Sequence, residues 1–255
     1  MYLRSNILSD LNGIEHFFTT KPGGVSSGKI TGLNLGFRVG DNPESVEKNY
    51  IHISEDFGIP FERITAAKQI HSSDVRVVTE DECGLGVSRL DQAFEADGLV
   101  TNCKNMPLVV FYADCVPVLM VEETVGVVAA VHSGWRGTVV RIAEKAVHTM
   151  TERFGANPEC IKAVIGPSIG KCCFETGAEV AENFEKSFVE KLPNNKYKVD
   201  LWEANRQILL DSGLRQKNIE VLGMCTMCHP ELLYSYRAHG DSTGRMGAVI
   251  MLKEG

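Results

Sequence analysis

The feature that most restricts the fold is a set of short segments without a polar face. PLVVFYAD (107–114), VGVVAAV (125–131), IKAVIG (161–166) and GAVIML (247–252) are largely apolar on both alternating positions. Strands of that kind are covered on both sides, so the sheets they form must lie inside layers. ITAAKQI (64–70), IEVLG (219–223) and LLYSYR (232–237) complete the expected strands.

Helical patterns run between them. In DNPESVEKNYIHISEDFG, Asn42 is placed to cap and Pro43 takes the first helical position. Val46, Tyr50, Ile53 and Phe57 form a stripe that Gly58 ends. Thr138 is expected to cap a helix carrying Val139, Ala143, Ala146, Val147, Met150 and Phe154, stopped by Gly155. Thr176 and Glu179 read as a capping box before Val180, Phe184 and Phe188. Asp200 and Glu203 open a further helix ending at Gly213. No long linker, repeat or low-complexity stretch interrupts this alternation. It predicts one α/β (α+β) domain over residues 1–255, a layered sandwich with mixed central sheets flanked by helices.

Composition narrows the function. The net charge of −7, from 26 basic and 33 acidic residues without a basic block, argues against a nucleic-acid partner. There is no run of eighteen apolar residues to span a membrane. The N-terminus MYLRSNILSDLNGIEHFF lacks the pattern of a signal peptide, so a cytoplasmic location is expected. The eight cysteines are then expected to be mostly reduced.

Three expected strands run into a metal-binding side chain: ITAAKQI into His71, PLVVFYAD into Cys115 and VGVVAAV into His132. Two imidazoles and a thiolate suit zinc, and three protein ligands leave a fourth position open, as in catalytic sites. The plainer account is a buried cysteine beside hydrogen-bonded core histidines, and the spacings of these three match no compact zinc signature. The turn SGWRG after His132 adds Arg136 and the start of the helix expected at Thr138, a place for an anion. Arg136 paired with a surface carboxylate, and Trp135 packed on the core, is the competing account. TTKPGGVSSG, with Lys21, and YRAHGDSTGR, with Arg237 and Arg245, are weaker phosphate-loop candidates. CTMCH (225–229) has the spacing of c-type haem attachment, which the lack of an export signal disfavours. Zinc on Cys225 and Cys228 finds only His229 as a further local ligand.

KQIHSSDV, ADGLVTN, FYADCVPVL, VHSGWRGT, AVIGPSIGKCCFE, MCT and YSYRAHGDSTGR occur in that order, after FFTTKPGGVSSG and LNLGFRVGD. Together they resemble the bacterial YfiH-like family, labelled polyphenol oxidase or laccase-domain and also described as purine nucleoside phosphorylase. The resemblance covers nearly the whole chain. It implies zinc, with copper less favoured, on His71, Cys115 and His132. It also implies phosphorolysis of adenosine, inosine, guanosine and S-methyl-5′-thioadenosine with inorganic phosphate, plus deamination of adenosine. On that reading the catalytic candidates are Cys115, His132, Arg136, Asp114 and Glu175, with Asp74 a further acid/base candidate. The substrate and phosphate contacts are Lys21, Gln69, Arg136, Thr138 and Arg245. Lys21 replaces the family's usual Arg, and Cys173 a more usual aromatic residue, which reads as packing.

Alternatives from other classes are a metal-free Cys115–His132 hydrolase and a non-enzymatic zinc module. A four-copper oxidase is disfavoured, because the chain has seven histidines and no His-x-His pair. The sequence leaves the oligomeric state open.

Overall fold

A computed structural model of the chain describes residues 2–254; Met1 and Gly255, the ends of the expected domain, lie outside the described residues. Two mixed sheets carry the fold. The first has the order β1 (Tyr2–Leu3), β2 (Ile14–Thr19), β14 (Met246–Leu252), β6 (Leu108–Tyr112) and β3 (Thr65–Ala66). The second runs β13 (Ile219–Val221), β9 (Lys162–Ile165), β7 (Val116–Glu122), β8 (Val127–Ser133), β5 (Gly98–Thr101) and β4 (Val75–Val77). A small sheet of β10 (Glu175–Thr176), β12 (Tyr197–Val199) and β11 (Val189–Lys191) is hydrogen-bonded to neither, and its Val199 packs into the cluster on the outer face of the second.

The alternation of side chains along each strand sets the layers. On β6, Leu108, Val110 and Tyr112 join Leu119, Val121, Val128, Ala130 and Val164 of the second sheet in one buried cluster, the core between the sheets. Val109 points the other way, into a cluster with Val46, Tyr50 and Ile53 of helix α2 (Pro43–Phe57). The outer face of the second sheet, with Val118, Met120, Ala129 and Val131, packs on α4 (Ile142–Phe154) and α6 (Leu201–Asp211). The result is the expected layered sandwich, helix on sheet on sheet on helix. Four short helices complete the fold: α1 (Asn6–Ser9), α3 (Trp135–Val139), α5 (Ala178–Ala181) and α7 (Tyr236–His239).

Local signals held where a cap and a stripe agree. Asn42 accepts from the Glu44 N–H, Pro43 opens α2 and Gly58 closes it at φ 60°. Asp200 accepts from the Glu203 N–H at the start of α6. Four expectations are corrected. Thr138 does not cap a long helix: Arg141, at φ 56°, breaks the chain into α3 and α4, and the Thr138 hydroxyl donates back to the Ser133 and Gly134 carbonyls. Thr176 and Glu179 form no capping box, since Thr176 pairs with Tyr197 in β10 and the four-residue α5 starts from Gly177. LLYSYR is not a strand. Its Leu232 and Leu233 N–H groups turn back to the His229 carbonyl, and Ser235 caps α7 through the Ala238 N–H. ITAAKQI shortens to β3, because at Gln69 the side chain takes over the pairing: it donates to the Phe111 carbonyl at 2.8 Å and accepts the Phe111 N–H at 2.6 Å.

Candidate metal centre and active-site cavity

Strand register assembles the centre. In the β7–β8 hairpin Val116 faces Ser133 and Pro117 faces His132, so Cys115 emerges beside Gly134 just beyond the ladder. In the β5–β8 pair Gly98 faces Val131, which brings Asp97 alongside His132. His71 arrives from outside the sheet, at φ 59°, on the loop between β3 and β4.

Asp97, only 1% exposed, fixes both histidines. Its carboxylate accepts three consecutive backbone N–H groups, from Ile70 at 3.2 Å, His71 at 3.1 Å and Ser72 at 2.6 Å, and the Ser72 hydroxyl at 2.8 Å. It also meets His132 Nδ1 at 2.8 Å. That contact turns Nε2 of His132 toward the other ligands, the usual arrangement behind a metal-bound imidazole. The ligand atoms of His71, Cys115 and His132 all lie within 4.8 Å of one another. The space exists because residue 134 is glycine: a Cβ there would sit 3.0 Å from Cys115 Sγ and 3.2 Å from His71 Nδ1.

The charges are coupled. Burial works against the Asp97 carboxylate, but His132 and the Ser72 N–H hold its pKa down at about 2. Burial likewise works against the His132 cation, yet its contacts with Cys115 and Asp97 outweigh it and push the imidazole up to about 9. Burial and the positive charge of His132 hold His71 below its ordinary value. The three side chains, His71 exposed, Cys115 half-buried and His132 buried, offer two imidazoles and one sulfur, a donor set that fits a cation.

The centre opens onto a cavity of about 780 Å³. Its wall carries six aromatic side chains, Phe37, Phe111, Tyr112, Trp135, Phe174 and Tyr236, and three arginines, Arg38, Arg237 and Arg245. None of these arginines forms an ion pair among the described residues; Arg237 donates to the Cys173 and Glu175 carbonyls and Arg245 to those of Thr243 and Gly244. Tyr112 has a buried hydroxyl with no hydrogen-bond partner among the described residues.

Of the residues expected at the site, His71, Cys115, His132, Asp114, Gln69 and Arg245 line this cavity, and Arg136, Thr138, Lys21, Glu175 and Asp74 do not. Exposed Arg136 stacks on the Trp135 ring at 4.3 Å. The Thr138 hydroxyl is turned inward and buried. Lys21 reaches the Pro230 carbonyl at 3.4 Å. Glu175 is exposed on β10, opposite Lys198, and the Asp74 carbonyl receives the Asp97 and Gly98 N–H groups. Asp114, at φ 94°, accepts the Thr226 hydroxyl at 2.5 Å and the Arg237 N–H at 2.6 Å, so both its oxygens are engaged. Sequence reasoning missed Asp97, although the motif ADGLVTN contains it, and missed Arg38 in LNLGFRVGD.

A sequence model of the family described as multi-copper polyphenol oxidoreductase laccase matches residues 15–253. The chain is 38% identical over 244 residues to purine nucleoside phosphorylase YlmD of Bacillus subtilis, covering 93% of this chain and 88% of that one. It is 35% identical over 251 residues to adenosine deaminase RL5 of an unknown prokaryotic organism, covering 95% of each. The crystal structure of YlmD from Geobacillus stearothermophilus superposes with a TM-score of 0.94 at 33% identity, over 99% of this chain and 96% of that one. Among the described residues no helix is long and apolar enough to cross a membrane.

Proposed function

The chain belongs to the multi-copper polyphenol oxidoreductase laccase family, and from that premise we propose that it is a zinc-dependent purine nucleoside phosphorylase. Its substrates on this reading are adenosine, inosine, guanosine and S-methyl-5′-thioadenosine, with adenosine also deaminated. The observation that carries the reading is the meeting, in one cavity, of the His71–Cys115–His132 centre, an aromatic wall and three arginines without carboxylate partners.

The donor set favours zinc over copper. Two imidazoles and one thiolate also occur in single-copper electron-transfer sites, but those add a long axial ligand, usually methionine. Among the described residues no methionine lines the cavity, and the Gln69 side chain is held by the Phe111 backbone. A multicopper oxidase needs many more imidazoles, and His71 and His132 are the cavity's two. His71, Cys115 and His132 would hold the zinc, which would supply Lewis-acid chemistry for an oxygen nucleophile beside it.

The chain's own groups account for binding and orientation. Phe111, Trp135 and Phe174 offer flat apolar area for a purine, which stacks on aromatic faces. Arg38, Arg237 and Arg245 supply forked donors for phosphate, in place of the Arg136 and Thr138 first suggested by the sequence. Arg38 and Arg245 also border a smaller adjoining recess of about 270 Å³ with Lys29. Phosphate held there is placed to attack C1′ of a nucleoside whose base lies on the aromatic wall: the bond to phosphate oxygen forms as the bond to the purine nitrogen breaks, and the proton of hydrogen phosphate passes to the departing base. Asp114 holds the backbone N–H of Arg237 and so positions one arginine.

The test is chromatography of the products from inosine and adenosine with and without phosphate. Phosphate-dependent hypoxanthine and adenine with ribose 1-phosphate are expected. Turnover of neither nucleoside by the zinc-loaded chain would overturn the proposal. Turnover that needs no metal and is stopped by iodoacetamide would point instead to a Cys115–His132 hydrolase.

A further inference from the structure

A second cluster of four cysteines stands outside the cavity centre. Cys172 and Cys173 are adjacent in the loop after β9, and Cys225 and Cys228 lie in the loop after β13. Their sulfurs all fall within 4.8 Å of one another, with Cys173 to Cys228 at 3.4 Å and Cys172 to Cys228 at 3.6 Å. A zinc ion holding four thiolates at about 2.3 Å separates neighbouring sulfurs by about 3.8 Å, whereas a disulfide joins them at about 2.05 Å. All eight cysteines are free, so the spacing is that of an ion's shell rather than a bond. In an iron–sulfur cluster each sulfur would bind a separate iron, or pair on one of two, and a four-sulfur group this tight is centred on one ion.

The surroundings are built for such a shell. The two loops are joined by a backbone ladder: the Ser168 N–H donates to the Met224 carbonyl and the Thr226 N–H to the Ser168 carbonyl. The Gly170 N–H donates to Cys225 Sγ at 3.3 Å, the kind of contact that supports a thiolate. Among the described residues no histidine or carboxylate belongs to the group, and four thiolates fill a tetrahedral shell without an open position for chemistry. We propose that Cys172, Cys173, Cys225 and Cys228 hold a structural zinc ion that locks the cavity wall carrying Ile169, Phe174 and Arg237. The link to that wall is direct: Ile169 and Phe174 belong to the first loop, and Arg237 donates to the Cys173 carbonyl. Cys173 is thus a ligand and not simply packing, and the CxxC of CTMCH finds its partners far away in sequence. This inference stands whether or not the nucleoside reading does.

The test is metal content of the full chain purified with reductant and zinc, for wild type, Cys115→Ala, Cys228→Ser and the double variant. About two zinc ions per wild-type chain are expected, about one in each single variant and about none in the double. Reloading Cys115→Ala with cobalt(II) should give sulfur-to-cobalt charge-transfer absorption about fourfold that of Cys228→Ser, since four thiolates face one. Cys172→Ser serves if Cys228→Ser does not fold, and zinc should shield all four thiols of wild type from iodoacetamide. A wild type with a single zinc that Cys115→Ala removes would overturn the proposal. So would a Cys228→Ser chain that keeps both ions, or a disulfide from Cys228 to Cys172 or Cys173 in the freshly reduced protein.

Discussion

Replacing Asp97 by Asn keeps the shape of the side chain and removes its charge, and the structure says what that does. One carboxylate oxygen serves His71 N–H and His132 Nδ1, and the other serves Ile70 N–H, Ser72 N–H and the Ser72 hydroxyl. An amide can accept with one oxygen only. If that oxygen faces His132, its NH₂ meets the three donors from Ile70 and Ser72. If it turns round, the NH₂ meets His132 Nδ1 and favours the tautomer with hydrogen on Nε2, which cannot bind a metal. Two or three charge-assisted bonds are lost, each worth about 1.5–3 kcal/mol, so destabilisation of about 3–9 kcal/mol is expected in a group this buried. Zinc affinity should fall about 10- to 100-fold, the usual consequence of removing the partner behind a ligand histidine. Competition against a chromophoric chelator reads the affinity, and thermal unfolding of the metal-free chain reads the stability. Asp97→Asn with zinc affinity within about twofold of wild type and stability within about 1 kcal/mol of it would refute the reasoning.

Other outcomes follow from the same geometry. Gly134→Ala puts a methyl group 3.0 Å from Cys115 Sγ and 3.2 Å from His71 Nδ1, and overpacking of about 1–3 kcal/mol should weaken zinc binding roughly 5- to 150-fold. Equilibrium dialysis checks it. Arg245→Ala should raise KM for phosphate about 10- to 100-fold through loss of charged hydrogen bonds, while Arg136→Ala, outside the cavity, leaves it nearly unchanged; initial rates against phosphate decide. His16 gives the pH dependence. Burial first, and then the charge of Arg4, lowers its pKa to about 4, and its Nε2 already accepts the Ser5 N–H. Its depressed pKa means that stability is full above about 6.5 and is lost as pH falls toward 4, by about 3 kcal/mol in total. Urea unfolding of the metal-free chain at several pH values should show that slope, with a smaller share from His71, and His16→Gln should remove most of it.

Signals that are local in both sequence and structure were legible. Asn42, Pro43 and Gly58 define α2 because capping and chain reversal act within a few residues, and the doubly apolar run before His132 identifies β8 because burial on both faces leaves no other composition. What failed was decided at a distance. LLYSYR carries a strand-like composition, yet its Tyr234 hydroxyl reaches the Thr31 carbonyl, and Ser235 prefers to cap α7. The helix expected at Thr138 breaks because that hydroxyl finds carbonyls of the preceding turn and joins a buried network with Ser133 and Asn205 of α6. The three candidate metal ligands are legible because each ends or follows an apolar segment. Asp97 was not, since an aspartate in a loop before a strand reads as a turn residue until the β5–β8 register brings it beside His132. The four-cysteine group was invisible for a similar reason: CC and CxxC are separate motifs until two loops are laddered through Ser168.

The central claim, that cleavage of purine nucleosides depends on the His71–Cys115–His132 centre, is tested most directly by stripping the protein of metal and restoring zinc stepwise while phosphorolysis of inosine is followed. The account predicts no turnover in the stripped chain and recovery in step with the zinc bound. It also predicts no recovery at any zinc level in Cys115→Ala, even though that variant still folds. Full turnover by the stripped chain, or by zinc-treated Cys115→Ala, would contradict it.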